Sequence, residues 1–164
     1  MQDIINRIRA KKADEGFTLI ELLVVVVIIG VLVAIAVPVY LNYRQGAADK
    51  SAQSDVRGAI SAVEQYYTNN GNAYPAATIS GVATTSPTMT LTAATGGTAG
   101  TITLSDKTKL NYVPVTPSGG TVATSYKLCA INDGGSGKYY LYDSSIGGSV
   151  KSATLTSTNF ATCG

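Results

Sequence analysis

The sequence predicts an α+β fold in which one long N-terminal helix packs on a C-terminal antiparallel β-sheet. Three stretches indicate this fold: an almost uninterrupted apolar run over residues 17–37, an amphipathic pattern from Val39 to about Tyr67, and short alternating segments beyond Pro75. The first two stretches have the length or the period of helices, and the third alternates with the two-residue period of strands. We therefore expect a helix with a transmembrane half and an amphipathic half, followed by a sheet domain.

The apolar run is long enough to cross a membrane. It contains only two polar side chains, Thr18 and Glu21. As a helix, its 21 residues would extend about 31 Å, and the hydrocarbon core of a bilayer is about 30 Å thick. Four basic residues precede the run, namely Arg7, Arg9, Lys11 and Lys12. Because flanking basic residues stay in the cytoplasm, we expect a single span with the N-terminus inside and everything from Pro38 onward outside.

Glu21 bears on three interpretations of this run. A secretory signal peptide would end at the "AIA" of residues 34–36, and the remainder would then be a secreted adhesin or binding domain. The run is long for a signal core, however, and Pro38 would lie just past the cut. A plain membrane anchor explains the length, but it gives no purpose to an acid that costs about 2.5–3.5 kcal/mol at the centre of a span. The third interpretation is that Glu21 has a function and a partner.

The second half of the helix is predicted from small and apolar residues that recur at three- and four-residue steps. These residues are Ala48, Ala52, Val56, Ala59, Ile60, Val63 and Tyr67. The polar residues are expected on the other faces of the helix: Asp49, Lys50, Gln53, Asp55, Arg57 and Glu64. This half should pack on the sheet domain.

Two residues are expected to bend the helix, and one segment is expected to end it. Pro38 cannot donate to the helical hydrogen-bond ladder and disturbs the preceding turn, while Gly30 weakens the helix in the middle of the span. The segment "NNGN" at residues 69–72 supplies a stop, with Gly71 as the C-cap and Pro75 preventing continuation.

The C-terminal part of the chain predicts strands separated by turns. Five segments have the alternation or the β-branched and aromatic content of strands: "TMTLT" from Thr88, "TITLS" from Thr101, "LNYVPV" from Leu110, "SYKLCAI" from Ser125 and "KYYLYD" from Lys138. The segment "NDGGSG" between the last two is typical of a hairpin turn. The simplest architecture is an antiparallel meander in one sheet, packed against the helix.

Two cysteines, Cys129 and Cys163, lie on the side that is expected to face outward. In an oxidising compartment such a pair favours a disulfide, and the alternative is two unpaired buried thiols. The bridge would close a loop of about 35 residues and stabilise the fold by roughly 3–4 kcal/mol in the loop-entropy description. It would also tie the end of the chain back onto the fourth predicted strand.

Composition argues against catalysis and against a bound cofactor. The chain has no histidine, which excludes Ser-His-Asp and Cys-His chemistry and most zinc sites. The acids outside the N-terminal region are scattered, and turn chemistry alone explains Asn132 and Asp133, so we predict no catalytic residue, cofactor or metal site. A net charge of +2 without a basic patch gives no reason to expect sequence-specific nucleic-acid binding.

The segment "GFTLIELLVVVVIIGVLVAIAVPVY" at residues 16–40 resembles the N-terminus of a type IV prepilin. In that family a short charged leader ends in Gly, a peptidase on the cytoplasmic side cuts after it, and the next residue becomes N-methylated. The resemblance implies a cut between Gly16 and Phe17, with Phe17 as the methylated N-terminus and Glu21 as the fifth mature residue. It continues without a gap through Gly30 and Pro38.

The resemblance also implies the type IV pilin fold and its domain organisation. Residues 1–16 would be a cleaved cytoplasmic leader, and residues 17–37 the transmembrane and filament-core helix. Residues 38–70 would be the amphipathic half of the helix, and residues 71–164 the β-sheet globular domain.

For function, the resemblance implies a structural, non-enzymatic subunit of a helical homopolymer. The charged amine of Phe17 in an incoming subunit would neutralise Glu21 of a neighbour, so that Glu21 fixes the axial register. The expected partners are further copies of the chain, the prepilin peptidase and methyltransferase, and a membrane platform with its assembly ATPase. The precursor would lie in the cytoplasmic membrane, and the extracellular pilus would serve adhesion, twitching motility or DNA uptake. The alternative within the same family is a pseudopilin of a type II secretion or competence system.

Overall fold

The computed structural model describes residues 17–93, 96–153 and 159–164. Within these ranges the chain forms one long helix, α1 (Leu19–Asn69), seven strands and a short 3₁₀ helix (Phe160–Thr162). The strands are β1 (Ile79–Val82), β2 (Thr88–Leu91), β3 (Gly100–Thr103), β4 (Thr108–Val115), β5 (Ser125–Asn132), β6 (Tyr139–Asp143) and β7 (Lys151–Ala153). A long helix followed by antiparallel strands confirms the predicted α+β fold class. The predicted leader, with Gly16, lies outside the described residues.

The described strands form two antiparallel sheets, whereas the sequence predicts one. The larger sheet has the order β1-β4-β5-β6-β7, and β2 and β3 form a separate pair. Strands β4, β5 and β6 form the part of the predicted meander that is present, with Leu110 opposite Ala130 and Cys129 opposite Leu141. Strand β1, which the alternation pattern does not predict, occupies the remaining edge of β4. The Thr-rich strands β2 and β3 therefore pair with each other.

The chain divides into two compact units, Met1–Leu41 and Asn42–Gly164. The second unit contains the later part of α1 and both sheets, and its core lies where the helix meets the strands. Small side chains on the helix let it lie close to the strands, as the close packing of a protein interior requires. The fully buried residues include Ala52, Val56, Ala59 and Val63 from the helix and Leu110, Tyr112 and Leu128 from the larger sheet.

The C-terminal end of α1 follows the predicted stop. The helix ends at Asn69, and Gly71 (φ +66°) and Asn72 (φ +61°) adopt the left-handed conformation. Glycine adopts this conformation at little cost. The backbone N–H of Asn72 donates to the carbonyl of Tyr67 at 3.0 Å, which satisfies one of the last carbonyls of the helix.

The structure is helical through both residues that are predicted to bend α1. Gly30 and Pro38 lie inside the single helix Leu19–Asn69. Because proline supplies no backbone N–H, one hydrogen bond of the ladder is missing at Pro38. The bend itself stays a prediction.

Two acids of α1 are buried, so their predicted placement on polar faces is wrong. Asp49 is 5% exposed and Asp55 is 8% exposed. The Asp55 carboxylate accepts the backbone N–H and the hydroxyl of Ser105, both at 2.8 Å. The Asp49 carboxylate accepts the same two groups of Ser136, at 3.0 and 2.5 Å. A buried carboxylate is stable where such hydrogen bonds replace those of water. The periodicity of the helix could not predict this burial, because the serines belong to turns that are distant in the sequence and fold back onto the helix.

The C-terminal end of the chain is fixed to the larger sheet. A disulfide joins Cys129 of β5 to Cys163, with Cα atoms 5.5 Å apart, so the predicted bridge is present in the structure. Because successive side chains of a strand alternate, Cys129 points away from the core face of β5. The Asn111 side-chain amide donates to the carbonyl of Phe160 at 2.8 Å, and the rings of Phe160 and Tyr139 lie 5.5 Å apart.

A cluster of tyrosines fills the core between the end of α1 and the larger sheet. The ring of Tyr126 lies 5.1 Å from that of Tyr74, 5.7 Å from that of Tyr112 and 5.9 Å from that of Tyr142. The Tyr126 hydroxyl donates to the Glu64 carboxylate at 2.7 Å. Burial raises the pKa of the Tyr112 and Tyr126 phenols, and for Tyr126 the hydrogen bond to Glu64 and its charge raise it further.

Candidate functional site

The first part of α1 presents apolar side chains on all sides. Leu19, Ile28, Leu32 and Val37 are 82, 53, 61 and 49% exposed, although such side chains are usually buried. In the described part of the chain, α1 is the one helix whose length and composition would let it cross a membrane. An apolar surface of this extent has to be covered by lipid or by other protein chains.

The polar atoms of the site lie at the start of α1. The backbone N–H and the hydroxyl of Thr18 both donate to Oε2 of Glu21, at 2.8 and 2.7 Å. In return, the backbone N–H of Glu21 donates to Thr18 Oγ1 at 3.3 Å. This reciprocal arrangement is a capping box, in which the residue before the helix and the third helical residue satisfy each other's N–H groups.

The capping box shows why the helix begins at this residue. The first N–H groups of a helix have no partner within it, and in an apolar segment water cannot supply one. Thr18 and Glu21 supply two acceptors, and a carboxylate at a helix N-terminus is also favoured by the helix dipole. Thr18 was not predicted as a partner of Glu21, although Thr-x-x-Glu before an apolar run is the sequence signature of this motif.

The arrangement leaves part of Glu21 for another donor. Both hydrogen bonds from Thr18 end on Oε2, and a carboxylate accepts bonds on two oxygens. The residue Glu21 itself is exposed, as are its apolar neighbours. A cation that reaches Oε1 could therefore pair with Glu21 while the capping box stays intact.

Phe17 lies just outside the helix. It is 85% exposed, and its backbone is not helical, because α1 begins at Leu19. Of the two residues at the predicted cleavage junction, Phe17 is described and is not helical, and Gly16 lies outside the described residues. Cleavage and N-methylation at this junction stay predictions.

The described carboxylates and cysteines do not converge on a metal site. In residues 17–93, 96–153 and 159–164, no group of three or more Cys, Asp or Glu side chains is arranged to hold a metal ion. In the β5–β6 turn, Asp133 pairs with Lys109 at 2.9 Å, and Asn132 donates to the carbonyl of Asp106 at 2.8 Å. These two residues therefore have structural roles in the turn.

Comparison with known proteins gives matches to the N-terminal methylation motif and to pilins. Residues 11–37 match the family described as "Prokaryotic N-terminal methylation motif". A fimbrial protein of Neisseria meningitidis serogroup B (strain ATCC BAA-335 / MC58) is 44% identical over 73 residues, which are 44% of this chain and 43% of the relative. The type IV major pilin protein PilE1 of Neisseria gonorrhoeae is 45% identical over 58 residues, which are 35% of each chain.

A secretion protein is also among the relatives. The type II secretion system core protein G of Aeromonas hydrophila is 37% identical over 65 residues, which are 40% of this chain and 45% of the relative. The chain thus spans less than half of the length of each of these relatives. No solved structure matches the chain.

Proposed function

The N-terminal segment of this chain carries the methylation motif of type IV pilin precursors, and on that premise we propose that the chain is a subunit of a type IV pilus filament. The observation that carries the proposal is the apolar first part of α1, exposed on all sides and beginning just after the predicted cleavage junction. Lipid covers such a surface in a precursor, and neighbouring helices cover it in a filament.

Processing is the first step of the proposed function. A peptidase and methyltransferase on the cytoplasmic side removes residues 1–16 after Gly16 and methylates the new amine of Phe17. The support is the match of residues 11–37 to the methylation motif, together with the non-helical, exposed backbone at Phe17. A protease needs an accessible, non-helical chain, and Phe17 meets this requirement.

Assembly is the second step, and Glu21 is its central residue. The positively charged amine of an incoming subunit pairs with the Glu21 carboxylate of a neighbour in an apolar environment, where the attraction is far stronger than in water. The capping box supports this role, because it holds the carboxylate at the helix start while Oε1 is left for a second donor. An incoming amine that fails to reach Glu21 leaves a charge uncompensated, so the pair fixes the register of the subunits.

The remaining partners and the location follow from this assembly. The precursor is a single-span protein of the cytoplasmic membrane with its N-terminus inside, and the filament is extracellular. A membrane platform and its ATPase drive extension, and the subunit itself performs no catalysis. Adhesion, twitching motility and DNA uptake are the functions that such a filament serves.

A second candidate function is that of a pseudopilin. The similarity to the type II secretion system core protein G favours it, because 37% identity over 65 residues is close to the values for the pilins. A pseudopilin would build a short fibre that stays within the envelope, whereas a pilin builds a long surface filament.

The experiment that tests the proposal combines filament isolation with N-terminal sequencing. Electron microscopy and mass spectrometry of sheared surface material should show long filaments whose main protein is this chain, beginning at methylated Phe17. The precursor of a Gly16→Val variant should keep its leader, accumulate in the membrane and yield no filaments. A chain that begins at Val37 would establish a signal peptide, and one that begins at Met1 a plain anchor. A processed chain that never appears in sheared material would favour the pseudopilin.

A further inference from the structure

The side-chain amide of Asn70 joins the end of α1 to residues 96–99, the segment that leads into β3. Its Nδ2 donates to the carbonyl of Thr98 at 2.9 Å, and its Oδ1 accepts the backbone N–H of Thr98 at 2.9 Å. The same Nδ2 donates to the carbonyl of Tyr66 at 2.8 Å, which satisfies one of the last carbonyls of the helix. We call these three hydrogen bonds the Asn70 clasp. They use both N–H groups of the amide and its oxygen.

The residue that follows Asn70 makes this amide chemically reactive. Gly71 adopts the left-handed conformation, with φ +66°, just past the end of the helix. Because glycine adopts this conformation at little cost, the helix stop favours glycine at this position. Glycine has no side chain to hinder its backbone nitrogen, so in an Asn-Gly pair that nitrogen attacks the asparagine side chain more readily than in other pairs. The turn that ends α1 therefore contains a pair that is prone to deamidation.

Deamidation of this pair needs water alone as a reactant. The backbone nitrogen of Gly71 bonds to Cγ of Asn70 and gives up its proton, the Cγ–Nδ2 bond breaks, and ammonia leaves with that proton. The product is a five-membered succinimide ring. Water then adds to one of the two ring carbonyls and opens the ring, which gives aspartate or isoaspartate. No electron is transferred in either step.

The Asn70 clasp opposes this reaction in the folded protein. Cγ can approach the Gly71 nitrogen only if the amide turns, and the amide is fixed to two carbonyls and one N–H. Breaking these bonds costs free energy, so the reactive conformation belongs to a locally open state. Gly71 itself is exposed, and a Cβ on it would meet no atom within 4 Å. Hydrogen bonding, and not packing around the turn, therefore protects the pair.

Deamidation would break the clasp permanently. A carboxylate donates no hydrogen bond, so the bonds to the carbonyls of Tyr66 and Thr98 would be lost, and both oxygens would face a negative charge. The new charge would also lie at the C-terminal end of α1, where the helix dipole disfavours it. Of the three original bonds, the one donated by the Thr98 N–H would be left.

We propose that Asn70 is a site of spontaneous deamidation, that the Asn70 clasp sets the rate of the reaction, and that the reaction releases residues 96–99 from the end of α1. The fraction of aspartate and isoaspartate at position 70 would then record how long the clasp has been open during the life of a subunit. This inference goes beyond the proposed function and does not depend on assembly into a filament.

The first test compares the reaction in the folded and the unfolded subunit. The full-length protein in detergent is kept in mildly alkaline buffer, with and without guanidinium chloride, and peptide mass spectrometry quantifies aspartate and isoaspartate at position 70. Asn72 is the internal reference, because it is exposed, precedes an alanine, and has no side-chain hydrogen bond within the described residues.

Unfolding should accelerate deamidation of Asn70 by about tenfold or more, because three hydrogen bonds no longer hold the amide, and should accelerate that of Asn72 much less. Equal rates at Asn70 in the folded and unfolded protein would overturn the protection by the clasp. An unmodified Asn70 in both states would overturn the site.

The second test measures the release of residues 96–99. Asn70→Asp reproduces the deamidated side chain, and Asn69→Asp adds the same charge at an exposed neighbour whose side chain makes no hydrogen bond in the described part of the chain. Both charges lie at the end of α1, so the helix dipole affects them similarly. Hydrogen exchange of the β3 amides should be severalfold faster in Asn70→Asp and unchanged in Asn69→Asp.

Equal exchange in Asn70→Asp and Asn69→Asp would overturn the release. The first test uses the unsubstituted protein, so it decides on the modification site and its protection even if Asn70→Asp fails to fold.

Discussion

At the residue scale, the observed contact of Glu21 and its proposed role in assembly use different parts of the carboxylate. Oε2 belongs to the capping box with Thr18, and Oε1 is left for a second donor. The apparent cost of an acid in an apolar segment is thus reduced before assembly begins, because the carboxylate already accepts two hydrogen bonds. The helix start and the assembly step can therefore be separated by mutation.

Substitution of Glu21 should separate them. The amide of Glu21→Gln still accepts the bonds from Thr18, so the capping box should remain while the charge is lost. Glu21→Ala removes both. We expect both variants to insert in the membrane normally and to yield little or no filament, because the incoming amine finds no counter-charge. The measurement is sheared filament relative to cell-bound processed subunit, and normal filament from Glu21→Gln would show that charge is not what Glu21 supplies.

Asp55 is a second residue whose role can be measured directly. Asp55→Ala removes the acceptor of two bonds from Ser105 and leaves the N–H of this half-buried residue unpaired, so the free energy of unfolding should fall by about 2–3 kcal/mol. Urea denaturation of the purified subunit in detergent provides the measurement. The control is Asp106→Ala, an exposed acid in the same turn, which should change stability by less than about 0.5 kcal/mol. Equal losses in both variants would contradict the assigned role.

Residue roles that depend on neighbouring residues could be predicted from the sequence, whereas those that depend on distant segments could not. Glu21 could be singled out as a candidate because a lone acid in an apolar run is visible in the sequence itself. The capping role of Thr18 was equally local, and the Thr-x-x-Glu pattern would have revealed it. The burial of Asp49 and Asp55 depends on serines that follow 87 and 50 residues later. No helical period contains that information.

At the scale of elements, two glycines should respond to alanine in opposite ways. Gly58 lies in α1, and a Cβ there would meet no atom within 4 Å. Gly58→Ala should stabilise the subunit by about 0.5–1 kcal/mol, because glycine is the poorer helix former. In β1, a Cβ on Gly81 would lie 2.8 Å from Leu104 Cδ1 and 2.9 Å from Met89 Cβ. Gly81→Ala should destabilise by about 1–3 kcal/mol through overpacking.

The same denaturation experiment in detergent measures both glycine variants. The quantity to compare is the urea concentration at the midpoint of unfolding of each variant. Because each variant adds one methyl group, a difference between the two midpoints reflects the surroundings of that group. A loss of stability in Gly58→Ala would indicate that this face of α1 is covered in the isolated subunit.

The strands were predictable to the extent that their pattern is local. The segments of β2 to β6 have alternating or β-branched residues, and the structure places strands at all five. Strands β1 and β7 have four and three residues, and β1 contains Gly81, so neither shows a clear period. The division into two sheets depends on which strand takes the edge of β4, and that choice is made by packing of distant segments.

At the scale of the whole molecule, the disulfide connects the last described segment to the larger sheet. The double variant Cys129→Ser/Cys163→Ser should lose about 2–5 kcal/mol, a typical cost for a native bridge in a small domain. The hydrogen bond from Asn111 to Phe160 would be left to hold the segment. Thermal unfolding with and without reductant provides the measurement. Reductant should lower the wild-type midpoint to that of the double variant, and an unchanged midpoint after full reduction would contradict the prediction.

In alkaline solution, the absorbance of the tyrosine cluster is expected to report on the unfolding of the protein. The chain has no tryptophan, and burial raises the pKa of Tyr112 and Tyr126 in the folded state. The unfolded chain releases these protons near pH 10, so their contribution to stability is complete below about pH 10 and declines as the pH rises further. We therefore expect tyrosinate absorbance from these two phenols to appear together with the loss of the near-ultraviolet circular dichroism signal. Reversible ionisation of the whole tyrosine cluster in a protein that keeps its near-ultraviolet circular dichroism signal would contradict this coupling. If the two changes do coincide, an alkaline absorbance titration measures unfolding without an added label.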